Sequence, residues 1–132
     1  MKPQDEFLAV DCEAVPWTQA VLPNGEPKGV TYRRILAGGD GLPQVHLSRY
    51  EPGWTEARHR HAEDEVLILV EGEIEVGGTT YRAPAVVFVG RGTLYGPLTA
   101  GPQGVAFYRV AYTEALIRRP PAETPFLSAP TD

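Results

Sequence analysis

The sequence predicts an all-β protein, a barrel or sandwich of short strands, on three observations. First, 14 Gly and 13 Pro in 132 residues are spread along the chain in PNG, GGDG, EPG, EGE, VGGTT, GRG, YGP and AGPQG, so turns are frequent. Second, the stretches between them are rich in Val, Ile, Leu, Tyr and Phe, as strands are. Third, no helix-length window carries a 3.6-residue apolar period. The length suits one apolar core but not two, which bounds the protein at a single domain and a single site.

The elements follow in order. An N-terminal arm over 1–29 offers Phe7, Leu8, Val10 and Trp17 to the outside of a sheet. Residues 31–36 and 44–50 form a hairpin across 37–41, whose glycines accept positive φ. Glu51-Pro52-Gly53 is a turn, followed by strands over 58–61 and 65–70, with Glu71-Gly72 turning the chain again. Residues 73–76 and 79–82 pair across Gly77-Gly78, a dipeptide suited to a type I′ turn. A buried strand over 85–89, a short one over 93–95 and a closing strand over 104–112 bring the total to about eight or nine. The barrel core thus covers about 30–112. Residues 113–119 suit a short helix, capped by Thr113 and ended by Pro120-Pro121, and the Pro-rich remainder to 132 suits a strap or a loose end.

Composition narrows the function classes. The net charge of −5 arises from dispersed acids, so a nucleic-acid backbone meets no basic footprint. No apolar run approaches the length of a membrane span. The acidic N-terminus lacks a signal peptide's features, which makes the cytoplasm the expected location. Cys12 is the single cysteine and sits among acids, so neither a disulfide nor an activated thiolate is expected.

The chemistry concentrates in one segment. Two of the three histidines, His59 and His61, are one residue apart, and side chains at i and i+2 on a strand leave from the same face. The polar turn Ala62-Glu63-Asp64 lets Glu65 return on a neighbouring strand and bring a carboxylate to the imidazoles. Two imidazoles and a carboxylate with open positions are the facial triad of non-haem Fe(II) sites, and Mn, Ni, Co, Zn or Cu also fit such donors. Alternatively, His-Arg-His is a solvated strand end. Against that, Glu65 opens the run Val66-Leu67-Ile68-Leu69-Val70, where an unpaired charge is costly. Arg58 and Arg60 should point away from the histidines and could pair with Glu63 or Asp64.

The spacing Gly53, five residues, His59-x-His61, three residues, Glu65, six residues, Gly72 resembles the first motif of the cupin superfamily at every required position. The segment from Pro84 through Gly90-x-Gly92 to Tyr95 occupies the frame of the second motif, in which only Gly92 matches. The resemblance implies a jelly-roll-like double-stranded β-helix, usually a homodimer, holding one divalent metal, iron foremost, on His59, His61 and Glu65. Tyr95 falls where the family's fourth ligand, a histidine, sits. A phenolate can bind Fe(III) or Cu(II), but a neutral tyrosine binds Fe(II) poorly, so its expected role is to donate a hydrogen bond to bound substrate; the alternative is that losing the fourth ligand leaves a weakened, metal-free pocket. His46 is a possible substitute ligand or an ordinary strand histidine; Arg49, Tyr32 and Tyr108 are further candidate pocket polars, and Leu67, Leu69, Val87 and Phe107 candidate lining.

The layout is also similar to small cupins related to diketone and hydroxyacetophenone dioxygenases and to the cupin half of anti-sigma sensors. It implies a small-molecule ligand or substrate of carbonyl or enolate type and a dioxygenase-like oxidoreductase. The alternatives are a non-catalytic ligand sensor, or a metal-dependent isomerase, lyase or cyclase.

Overall fold

The computed structural model describes residues 7–39 and 41–112, so the expected helix over 113–119 and the tail lie outside the described residues. A 3-10 turn, Cys12–Ala14, precedes eight strands: β1 (Thr18–Val21), β2 (Pro27–Gly39), β3 (Leu42–Tyr50), β4 (Thr55–Glu56), β5 (Asp64–Val76), β6 (Thr79–Arg82), β7 (Ala85–Val89) and β8 (Leu98–Tyr112). All pairings are antiparallel, in the order β1-β2-β3-β8-β5-β6, with β4 against β8 and β7 against β5. The all-β expectation holds. No described helix is long and apolar enough to cross a membrane.

The long strands β5 and β8 form the spine. They pair from Asp64↔Tyr112 to Val76↔Leu98, with register shifts between Leu69 and Glu71 and between Gly72 and Ile74. Each shift is a bulge that bends the ladder without ending it. The expected turn at Glu71-Gly72 is therefore a corner inside one continuous strand. Along β5 the inward residues are Glu65, Leu67 and Leu69 before the corner, and Ile74 and Val76 after it. The parity changes from odd to even, so both arms of the bent strand keep their apolar side on one interior. On β8, Leu98 and Ala100 precede the corner, and Val105 and Phe107 follow it. These residues with Leu67, Leu69 and Ile74 make the buried core, against which Tyr50, Trp54, Val87 and Tyr95 pack.

Other expectations need correction. Residues 58–61 and 93–95 are not strands. They meet in a single bridge, His59↔Tyr95, because the chain there turns too soon to extend a ladder. The first hairpin is longer than expected, with β2 running to Gly39 and β3 starting at Leu42. Gly77 and Gly78 do form the tight turn between β5 and β6, with φ of 58° and 96°. Of the N-terminal residues, Trp17 lies on the outer face with Arg33 and Arg49 4.5 and 5.0 Å from its ring centroid, a cation–π arrangement. Phe7 is 88% exposed and Leu8 55%, so neither covers the sheet as expected.

The corner depends on Gly72. Its φ is +74°, and an added Cβ would collide with the Gly104 carbonyl on β8. Both strain and clash oppose a side chain there. Gly72→Ala should cost about 3 kcal/mol of stability, read as a lower midpoint in urea unfolding with an unchanged slope.

Candidate metal centre

The inner face of β5 delivers Glu65 to the head of a cavity of about 180 Å³. Leu67, Leu69, Ile74, Val76, Val87, Leu98 and Phe107 line its body, and Glu56, His59, His61, Glu65, Tyr95 and Arg109 its polar end. Leu67, Leu69, Val87 and Phe107, the four apolar residues expected from sequence, all line it. Glu65 is 1% exposed, a buried carboxylate that must be answered by charge or hydrogen bonds.

Three groups answer it. Tyr95 donates from its hydroxyl to Oε1 at 3.3 Å, Arg109 donates to Oε2 at 3.1 Å, and His61 Nε2 stands 3.6 Å from Oε2. His59 and His61 meet edge to face, their Nε2 atoms 3.1 Å apart. His59 Nδ1 lies 2.8 Å from the Ala57 carbonyl, which can only accept, so that nitrogen carries a proton and Nε2 is the atom turned toward His61. A backbone carbonyl holding the far side of an imidazole is the usual support of a metal-binding histidine. Donor atoms about 2.1 Å from a common ion and at right angles lie about 3.0 Å apart, close to the imidazole separation.

Among the described residues, the donor atoms that lie within 4.8 Å of one another belong to His61, Glu63 and Glu65. His59 adjoins this group through His61. Arg58 and Arg60, which could have paired with Glu63 or Asp64, are both exposed, and Glu63 Oε1 is instead 3.3 Å from Arg109. Asp64 accepts from the Arg91 backbone N–H at 2.9 Å. One guanidinium thus faces two carboxylates, and the surplus negative charge suits a divalent cation. The residues fit a metal in kind: two imidazoles and one or two carboxylates gather at the polar end of the cavity, with the imidazole pair alone at the separation of adjacent octahedral ligands.

Sequence reasoning missed Glu63 and Arg109, though a signal existed for each. Glu63-x-Glu65 has the same i, i+2 spacing as the histidine pair, and Arg109 stands two residues beyond Phe107, already expected to face inward.

The ionisation states follow from burial. Tyr95 is pushed up by burial and by the Glu65 carboxylate, so it remains a phenol and a donor. Burial opposes the charge on Arg109, but the Glu65 hydrogen bond and the charges of Glu65 and Glu63 outweigh it, and its pKa is raised. His46 lies outside the cavity lining and stacks on Tyr32 with ring centroids 5.8 Å apart. Its pKa is lowered by burial first, then by Arg34 and Arg109. Tyr32, Tyr108 and Arg49 do not line the cavity either; Arg49 lies against Glu71 and Trp17.

The sequence matches no family model and no curated protein. Solved structures resemble it in fold. An RmlC-like cupin from Ralstonia eutropha is 14% identical with a TM-score of 0.66, over 81% of this chain and 69% of that one. The polyketide cyclase RemF from Streptomyces resistomycificus is 20% identical with a TM-score of 0.64, over 83% and 81% of the two chains. An acetylacetone dioxygenase from Acinetobacter johnsonii is 20% identical with a TM-score of 0.59, over 83% and 75%. At such identities the likeness speaks for the fold alone. Bent antiparallel spine, interior cavity and these shared architectures together establish that the chain has the fold of the cupin superfamily.

Proposed function

We propose that this chain is a metal-dependent cupin acting on a small carbonyl- or enolate-type molecule, with a dioxygenase-like oxidation as the leading reaction. One observation carries the reading: an imidazole pair and a buried carboxylate stand at the polar head of an otherwise apolar cavity. His59, His61 and Glu65 are the proposed ligands, Glu63 is an adjoining donor, and iron is the leading metal. When bound, such an ion supplies Lewis acidity toward a carbonyl or enolate oxygen.

The chain's own residues do the rest. The Leu, Ile, Val and Phe lining seats an apolar substrate body and excludes water, leaving the polar head of the molecule at the histidines. Tyr95, a phenol beside Glu65, is placed to reorient its hydroxyl toward a substrate oxygen. The acetylacetone dioxygenase and polyketide cyclase among the similar structures act, by name, on related chemistry and support this class without fixing the reaction.

A second reading, a ligand sensor without turnover, is favoured by the Arg109 contact, since Tyr95 and Arg109 between them donate to both Glu65 oxygens. Oxygen uptake by Fe(II)-loaded protein with a panel of β-diketones and hydroxyketones separates the two. Consumption supports the enzyme, and ligand binding without consumption supports the sensor.

His59→Ala or His61→Ala should each abolish stoichiometric metal, measured by elemental analysis of untagged protein. Tyr95→Phe should keep the metal and lower turnover about tenfold or more, the loss of one directed hydrogen bond. Loss of metal in Tyr95→Phe would make Tyr95 a ligand.

A homodimer is also proposed. Ile68, Val70 and Val86 stand exposed together on the outer face of β5 and β7, where Ile68 pairs with Val86. Val86→Glu should then yield a monomer in sedimentation, while a wild type already monomeric would refute the assembly.

A further inference from the structure

Arg109 is a fixed cation beside the carboxylate that a metal would use. It enters from β8, where it lies opposite Leu67 of β5 and His46 of β3. Three side chains hold it: Gln44 Oε1 accepts from Nη1 at 2.9 Å, and Glu63 Oε1 and Glu65 Oε2 accept from Nη2 at 3.3 and 3.1 Å. A guanidinium held on three sides loses every one of these bonds if it swings out to a ligand, so anchoring substrate is a poor use of it. The oxygen it shares with the proposed metal position is decisive. Glu65 Oε2 faces Arg109 on one side and His61 Nε2, 3.6 Å away, on another.

We propose that Arg109 is a positioning residue that serves as resident counter-ion of the metal-free centre. It holds Glu63 and Glu65 together and, through its fixed positive charge, limits how tightly a divalent cation is bound. The inference rests on the metal reading above. Without an ion, two neighbouring carboxylates, one of them almost fully buried, would repel each other in a low-dielectric interior, and Arg109 neutralises that repulsion. With an ion, the same guanidinium is a like charge a few ångströms away, where electrostatic interactions are strong.

The counter-ion role makes an unusual demand, since removing a hydrogen-bonding arginine should tighten metal binding. A residue that merely supported Glu65 would weaken binding when lost. The test is chelator competition for Zn(II) and Mn(II) in wild type, Arg109→Gln and Arg109→Lys, with thermal unfolding of each variant with and without metal.

Arg109→Gln should bind metal at least about tenfold tighter than wild type, because the repelling charge is gone. Arg109→Lys, which keeps the charge, should stay within about threefold of wild type. Metal-free Arg109→Gln should melt below wild type, and metal should restore the difference. Unchanged or weaker binding in folded Arg109→Gln overturns the proposal, as does an Arg109→Gln protein that stays unfolded when refolded with Zn(II). If wild type takes up no divalent ion, the metal reading itself fails and the counter-ion role falls with it. Metal uptake by wild type with the wrong response to Arg109→Gln sinks only the role of Arg109.

Discussion

A carboxylate sealed inside a β-barrel is the constraint around which the polar half of this molecule is arranged. Glu65 is 1% exposed, and an ionised group so placed is tolerable only when its neighbours replace the water it has lost. Tyr95, Arg109 and His61 come to it from three separate stretches of chain. The polar end is therefore assembled by the fold as a whole. Glu63 and Gln44 extend the network, Glu63 at the guanidinium nitrogen that Glu65 also uses and Gln44 at the other.

The apolar half depends on a different device. Two long strands, β5 and β8, bend together and change inward parity at their bulges, so one bent surface wraps a cavity. Leu67 and Leu69 come from one arm of β5, Ile74 and Val76 from the other. The two halves meet because Glu65 and Leu67 are successive inward residues of one strand, which fixes the donor cluster at the head of the apolar chamber.

Much of this was legible in the residues, for reasons that can be named. The Gly77-Gly78 turn needs positive φ twice, a demand that glycine meets, and its strands followed. The inward run from Glu65 to Leu69 expresses strand periodicity directly, so the buried carboxylate and lining residues could be anticipated, whereas His59 and His61 meet although their segment is not a strand. What escaped depends on register between distant strands. The spacing from Phe107 turns Arg109 inward, but that it meets Glu63 and Glu65 follows only from the pairing of Leu67 with Arg109. The corner at Gly72 escaped for a related reason, because a glycine at a bulge and a glycine in a turn have the same local signature. His46 is inward in register yet outside the cavity, since its ring lies against Tyr32.

The lone bridge between His59 and Tyr95 has a mechanical corollary. His59 donates its backbone N–H to the Tyr95 carbonyl at 3.0 Å, and Tyr95 returns the bond at 2.9 Å, so the two main chains are clasped although neither segment is a strand. Their rings lie 4.7 Å apart, centroid to centroid. A shift of either main chain is carried to the other through both bonds, so the two walls of the chamber's mouth are braced against each other.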